Sequence, residues 1–149
     1  MRRAFLSSKP IPSVERLIFA LDVPSPVAAR ELVETLGDAV RFYKIGLELF
    51  MAGGYFELIE WLRAHGKRVF VDLKFFDVPE TVRSAVRRLK PYDASFATVH
   101  GNDAILRAAV EAALETGTNL GTLAVTALTS LDQADLGDLG FACDPKALV

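Results

Sequence analysis

The 149 residues contain only one cysteine and two histidines, two residue types that commonly bind metal ions. The lone Cys143 excludes a disulfide within the chain and a cysteine-based metal cluster, and it is typical of a reducing compartment. His65 lies near the end of a predicted helix, away from His100, so a histidine-rich metal site is not supported. We therefore expect a cytoplasmic protein whose site holds no metal.

Long hydrophobic runs are also missing. The apolar runs have the length of strands, far below the roughly 18 residues that a membrane span needs. The N-terminal segment MRRAFLSSKP has two arginines but no apolar region behind them. The sequence therefore predicts neither a signal peptide nor a membrane partner.

Neither sign of charge dominates, since 17 basic and 19 acidic residues give a net charge of −2. This balance does not favour a nucleic-acid partner. One local basic cluster is interpreted as a solvated helix face. It consists of Arg83, Arg87, Arg88 and Lys90.

Three common site motifs are absent: a Walker-type phosphate loop, G-x-G-x-x-G and G-x-S-x-G. What is present is a chain of one-domain length in which 51% of the residues are hydrophobic, which predicts a globular protein. We predict a single domain over residues 1–149, with residues 1–15 as an N-terminal extension.

Five apolar segments recur at a spacing of about two dozen residues, the length of one strand, one helix and two loops. They are LIFALD (17–22), VRFYKIG (40–46), RVFVDLK (68–74), ASFATVH (94–100) and LGTLAVT (120–126).

Helix signals follow each of these five segments. These signals are Ser25-Pro26, the apolar Leu58, Ile59 and Leu62 after Gly53-Gly54, Pro79, Asn102, and a capping box of Ser130 and Gln133. The predicted apolar stripes include Val78, Val82, Val86 and Leu89 on the third helix and Leu106, Ala109, Val110 and Ala113 on the fourth.

Alternating strands and helices, with strands apolar on both faces, predict a parallel sheet covered by helices. An open doubly wound sheet and a (β/α) barrel both fit this pattern. Polar residues at the ends of all five strands favour the barrel, because barrel enzymes build their sites there. These residues are Asp22, Lys44, Asp72 with Lys74, His100, and Thr126 with Thr129. Since a whole barrel takes about 250 residues, we predict a member of the TIM (β/α)8 barrel class with about five βα units present.

Charged residues cluster at the end of the third strand. Asp72 and Lys74 are two apart on a strand, so both side chains should lie on one face, and Lys44 can join them from the neighbouring strand. With Asp77 in the following loop, the sequence predicts an alternating Lys-Asp-Lys-Asp row. A purely structural ion-pair network is the alternative for Asp72 and Lys74.

The other candidates also have plain alternatives. Asp77 can support the start of the third helix, and His100 can be a core histidine. Thr126 and Thr129 can be ordinary turn or cap residues. If the cluster is catalytic, a lysine ammonium can donate a proton to a carbanion, and a carboxylate beside it keeps it protonated and crowds a substrate carboxylate.

The sequence resembles the orotidine 5′-monophosphate decarboxylase family over nearly its whole length. The similar segments are FALDVPS, FYKIGLELF, VFVDLKFFDVPETV, TVHG and LAVTALTSLDQADLGDLG. The resemblance implies a cofactor-free decarboxylation of orotidine 5′-monophosphate to uridine 5′-monophosphate in pyrimidine biosynthesis. It implies a homodimer with shared active sites.

The resemblance also implies individual roles. Asp22 and Lys44 would contact the ribose hydroxyls, Asp72 would lie beside the orotate carboxylate, and Lys74 would give a proton to C6. The remaining candidates are assigned to the neighbouring subunit's site or to substrate binding. They are Asp77 and Thr81, which would reach the neighbouring subunit, Thr129, which would contact the nucleotide, and Thr126 and His100, which lie nearby.

The sequence departs from the family pattern at Phe76, where the family typically has His, and at Glu80, where it typically has Asn. The Pro-Gly-Ile-Arg and Gly-Arg motifs that hold the phosphate in the family do not occur in the 149 residues. Two alternatives stay open. One is a Mg²⁺-dependent sugar-phosphate carboxy-lyase or isomerase of the same barrel class, and the other is an inactive barrel fragment that acts only in assembly.

Overall fold

The computed structural model describes residues 10–148, so most of the predicted extension at 1–15 lies outside the described residues. Five strands alternate with helices, as the sequence predicts. The strands are β1 (Phe19–Ala20), β2 (Phe42–Gly46), β3 (Arg68–Phe75), β4 (Phe96–His100) and β5 (Gly121–Val125). The α-helices are α1 (Pro26–Leu36), α2 (Leu47–Met51), α3 (Tyr55–Ala64), α4 (Pro79–Arg88), α5 (Asp103–Thr116), α6 (Gln133–Asp138) and α7 (Pro145–Leu148).

The chain forms two compact units, residues 1–69 and 70–149, whose boundary falls within β3. In the first unit β1 runs parallel to β2, with Ala20 opposite Lys44. The beginning of β3 continues this pairing, because the N–H of Arg68 donates to the carbonyl of Arg41 at 2.7 Å. Parallel pairing of consecutive strands requires the helical crossovers that the sequence predicts.

Helix α1 begins where the sequence predicts. The Ser25 hydroxyl accepts from the N–H of Ala28 at 3.2 Å, and Pro26 occupies the first helical turn, where its missing N–H costs nothing. The apolar stripe of α3 is completely buried, as predicted from Leu58, Ile59 and Leu62. The short α2 between β2 and the glycine pair was not predicted.

In the second unit β4 lies between β3 and β5, and all three strands are parallel. The predicted cap of α5 is confirmed, since Asn102 Oδ1 accepts from the N–H groups of Ala104 and Ile105. The phase predicted for this helix is partly wrong, because Val110 is exposed. The buried face begins at Ile105, one residue before the start of the predicted stripe at Leu106.

The third predicted stripe also needs one correction. Val82, Val86 and Leu89 are buried on the inner side of α4 and just after it, as predicted. Val78 is exposed, because it is the residue before the first turn and its backbone is extended rather than helical. A residue in that conformation does not share the helical periodicity of the stripe.

Three residues of the basic cluster lie on α4, as predicted, and two of these arginines pair with α5. The fourth residue, Lys90, lies just after the helix instead. Arg87 Nη2 lies 2.6 Å from Glu115, and Arg83 Nη1 lies 3.3 Å from the same carboxylate. Arg83 also donates to Glu111, and this hydrogen bond raises the pKa of its guanidinium above the ordinary value. The pairs join two neighbouring helices on their outer side.

The capping box predicted at Ser130 and Gln133 is wrong. Helix α6 begins at Gln133, so its cap is Asp132, whose side chain accepts from the N–H groups of Ala134 and Asp135. The Asp135 carboxylate accepts in return from the N–H of Asp132 at 2.9 Å. The reciprocal pattern is therefore present, two residues later than predicted.

No helix within residues 10–148 has the length and apolarity that crossing a membrane requires.

Candidate active site

Strand β3 is irregular at the point where its charged residues lie. Val71 is opposite Ala97 and Phe75 is opposite Val99, so three residues of β3 face a single residue of β4. Lys74 adopts a left-handed backbone with φ 49°. This conformation costs a residue with a side chain about 1–2 kcal/mol. Such strain, held in place by the surrounding sheet, is frequent at functional sites.

Asp72 and Lys74 lie side by side, as predicted. Lys74 Nζ is 3.0 Å from Asp72 Oδ2, the Asp72 residue is buried, and the Lys74 side chain is 38% exposed. The predicted proximity is confirmed, but the simple alternation of a regular strand is not its full cause. The bulge and the left-handed Lys74 also shape this part of the strand.

Thr98 completes this cluster and was not predicted. Its hydroxyl donates to Asp72 Oδ1 at 2.9 Å and accepts from the backbone N–H of Lys74 at 2.9 Å. Thr98 is the single β4 residue between the two paired positions that flank the bulge. Its signal in the sequence is a polar residue within the apolar FATVH segment, two positions before His100 and therefore on the same face.

Asp77 does not extend the predicted charge row within one chain. It is exposed, and its Oδ1 accepts from the N–H of Val78 at 2.6 Å. Its carboxylate makes no ion pair with any of residues 10–148. The hydrogen bond fits the alternative role of supporting the entry to α4.

In the first unit, Asp22 and Lys44 come together as predicted. Lys44 Nζ is 4.0 Å from Asp22 Oδ2, at the outer limit of an ion pair, and the Asp22 side chain is 64% exposed. Asp22 follows β1 by two residues, while Lys44 lies in the middle of β2. The place predicted for Lys44 beside Asp72 and Lys74 stays a prediction.

His100 is half-buried rather than a core residue. Its Nδ1 accepts from the N–H of Gly101 at 2.9 Å, which leaves the proton of a neutral ring on Nε2. The Phe76 ring packs on the imidazole with centroids 5.3 Å apart. Gly101 has φ 123°, a conformation that residues with a side chain rarely adopt, which favours glycine at this position.

The two departures from the family pattern have structural partners. Phe76 packs against His100, as described above, and stays largely exposed. Glu80 lies in the first turn of α4, and its carboxylate is 3.5 Å from Arg83 Nε on the same helix. Neither residue contacts Asp72 or Lys74 by a hydrogen bond or an ion pair in the part of the chain that the structure describes.

Two cavities of the second unit collect most of the remaining candidates. A cavity of about 490 Å³ is mainly apolar and includes His100 and Thr126 in its wall. A smaller cavity of about 280 Å³ brings Lys74, Asp77 and Thr81 to one wall. Thr129 is exposed in the turn that the Leu131 N–H closes on the carbonyl of Leu128 at 3.1 Å.

Comparison with known proteins gives a consistent set of relatives. The family model described as "Orotidine 5'-phosphate decarboxylase / HUMPS family" matches residues 15–149. The orotidine 5'-phosphate decarboxylase of Methylococcus capsulatus is 63% identical over 97% of the chain, and that of Xylella fastidiosa (strain M12) is 50% identical over 91%. The matches cover 58% and 54% of those proteins, so the chain spans a little more than half the length of these curated relatives.

Two solved structures share the fold. The crystal structure of orotidine 5'-phosphate decarboxylase from Lactobacillus acidophilus superposes with a TM-score of 0.80 at 31% identity, over 89% of this chain and 62% of that one. An uncharacterized conserved protein from Geobacillus kaustophilus gives a TM-score of 0.78 at 32% identity, over 88% and 64%. The predicted fold class, a (β/α)8 barrel of which five βα units are present here, is confirmed.

Proposed function

Because the chain belongs to the orotidine 5′-phosphate decarboxylase / HUMPS family, we propose that the protein carrying it decarboxylates orotidine 5′-monophosphate to uridine 5′-monophosphate. This reaction is a step of de novo pyrimidine biosynthesis. The observation that carries the proposal is the Asp72–Lys74 pair, with a buried carboxylate 3.0 Å from a partly exposed ammonium. Such a pair supplies a negative charge to face the substrate carboxylate and a proton to replace it.

The reaction takes place at C6 of the pyrimidine ring of the substrate, and both side chains act beside this carbon atom. The bond between C6 and the carboxylate breaks, carbon dioxide leaves, and the electron pair stays on C6. The Lys74 ammonium donates its proton to C6, and the lysine takes up a proton from solvent afterwards. Asp72 accepts a hydrogen bond from the ammonium and repels the substrate carboxylate, a repulsion that ends when carbon dioxide leaves.

Substrate-binding roles are proposed for the remaining candidate side chains. We propose that Asp22 and Lys44, which lie 4.0 Å apart, bind the ribose hydroxyls. His100 and Thr126 share the wall of the larger cavity, and Thr129 presents its hydroxyl on the exposed turn nearby in sequence. His100 and Thr126 provide polar groups for orientation within an otherwise apolar cavity wall.

We further propose a homodimer in which the segment 76–81 reaches the partner's site. Every residue of this segment is exposed, and it includes large apolar side chains, with Phe76 67% and Val78 63% exposed. Exposed apolar side chains next to a carboxylate that has no ion pair with residues 10–148 suit an interface that buries both. We place this dimer in the cytoplasm, because the lone Cys143 suits a reducing compartment.

Mixing two inactive variants tests the shared site. The variants are made in the 149 residues followed by the remaining βα units of the Methylococcus capsulatus relative. Lys74→Ala and Asp77→Ala proteins of this length, each nearly inactive alone, are expected to regain activity when their subunits exchange. A hybrid dimer holds one site with both residues intact, so activity approaches one quarter of the parent value at equal mixing. Exchange is verified by native mass spectrometry. Absence of recovery under verified exchange places Asp77 outside the partner's site.

The function itself is tested by an assay on an extended chain. We define the extended chain as the 149 residues followed by the remaining βα units of the Methylococcus capsulatus relative. Loss of orotidine 5′-monophosphate at an unchanged rate in excess EDTA supports the proposal. Turnover of a sugar phosphate that EDTA abolishes would favour the metal-dependent alternative. No turnover of either substrate would favour an assembly role.

A further inference from the structure

We infer that Thr98 is a positioning residue that sets the Asp72 carboxylate and the Lys74 ammonium in register for proton transfer. The inference rests on the proposed decarboxylation and adds a residue to it. Thr98 does not need to touch the substrate for this role, because it acts through the two groups that do.

The hydrogen bonds around Thr98 form a closed ring. The backbone N–H of Lys74 donates to Thr98 Oγ1, the same hydroxyl donates to Asp72 Oδ1, and Lys74 Nζ donates to Asp72 Oδ2. All three distances lie between 2.9 and 3.0 Å. Lys74 is therefore fixed at both its backbone and its ammonium relative to one carboxylate.

The bulge explains why one residue can hold both partners. Between the pairs Val71–Ala97 and Phe75–Val99, β4 contributes Thr98 alone, and β3 contributes three residues including Asp72 and Lys74. A regular parallel pair would give each β3 residue its own neighbour. The extra residues make the Thr98 hydroxyl a common anchor for positions 72 and 74.

A hydroxyl fits this place better than other small groups. Thr98 is 6% exposed, and its single proton and its lone pairs serve two different partners at once. Valine has nearly the same shape but can neither donate to Asp72 nor accept from the Lys74 N–H. Thr98→Val therefore removes the two hydrogen bonds with little change in volume.

Loss of the anchor has a defined consequence for Lys74. Its left-handed backbone, φ 49°, is held in part by the hydrogen bond from its N–H to Thr98. Without that bond the backbone can relax toward the β region, which moves the ammonium away from C6. A displacement of about 1 Å can lower a rate by about 100-fold.

The test compares three variants of the extended chain. Thr98→Val is expected to lower kcat about 10- to 100-fold with KM within about 3-fold of the parent, while Thr98→Ser stays within about 3-fold in both. Thr116→Val is the matched control, since Thr116 is also 6% exposed and its hydroxyl donates to the carbonyl of Ala113 at 2.6 Å. It lies in the last turn of α5 and should lower the melting temperature without lowering kcat.

Equal kcat values for Thr98→Val and the parent overturn the inference, as does an equal loss in Thr116→Val and Thr98→Val. Failure of Thr98→Ser to restore kcat also overturns it. A crystal structure of Thr98→Val adds a readout that does not depend on turnover. The inference is contradicted if Lys74 in that crystal structure keeps its left-handed backbone and its contact with Asp72. A parent that does not decarboxylate at all refutes the proposed function instead, and this is measured first.

Discussion

We expect replacement of Lys74 by alanine in the extended chain to lower kcat for the proposed decarboxylation at least about 100-fold, the contribution of a positioned general acid. The secondary structure survives, because the Lys74 side chain is 38% exposed and contributes little to the core. Lys74 Nζ is held 3.0 Å from the buried Asp72, the position that the proposed mechanism gives to the proton donor. Stopped-flow kinetics with circular dichroism of the same samples measures both quantities.

Lys90→Ala is a suitable control for this variant. Lys90 is an exposed lysine just after α4, and its removal should leave kcat unchanged. A Lys74→Ala protein that keeps nearly the parent kcat would mean that the proton on C6 comes from another donor. The proposed mechanism would then be wrong, although the chain would still belong to the family.

A glycine at the same position separates chemistry from backbone strain. Lys74→Gly should be as inactive as Lys74→Ala, yet more stable by about 1 kcal/mol, because glycine adopts a left-handed backbone without the steric cost that alanine bears. Urea unfolding of the two variants measures the difference. Equal free energies of unfolding would show that the left-handed backbone of φ 49° is not strained in solution.

The second large effect concerns the 149-residue polypeptide expressed by itself. We expect it to be poorly soluble and to show no more than trace decarboxylation, whereas the extended chain is soluble and active. Apolar residues are exposed around the first and last strands, where a closed barrel would cover them. They include Leu17, Ile18, Leu123 and Leu128.

Weak substrate binding is expected for a separate reason. The family's phosphate-binding motifs do not occur in the 149 residues, and phosphate contacts remote from the reacting carbon can supply energy to the chemical step. Sedimentation velocity and the decarboxylation assay, applied to both proteins, check these expectations. A 149-residue polypeptide that is soluble, monomeric and fully active would contradict the solubility and the phosphate expectations together.

Local sequence signals predicted much of the fold. Ser25, Pro79 and Asn102 mark helix starts correctly, because caps depend on side chains a few residues apart. Strand positions were right to within about two residues, since apolar runs bounded by turns are also local signals. The capping box was placed at Ser130 instead of Asp132, because both are good caps and only the true start of the helix separates them.

Part of the site could not be predicted from such signals. The proximity of Asp72 and Lys74 was predicted from strand periodicity, but the bulge between β3 and β4 was not. Register is a property of two strands that are more than 20 residues apart, and lysine gives no local sign of a left-handed backbone. Thr98 was missed for the same reason, since its role exists only once β4 lies beside the bulge.

The shared anchor at the bulge constrains how this site can evolve. A change at position 98 alters the surroundings of positions 72 and 74 together, so the effect of each substitution depends on which residues occupy the other two. We therefore expect the free-energy effects of substitutions at these positions to depart from additivity. The effects of substitutions at positions 72, 74 and 98 are then coupled, although these positions lie on two different strands.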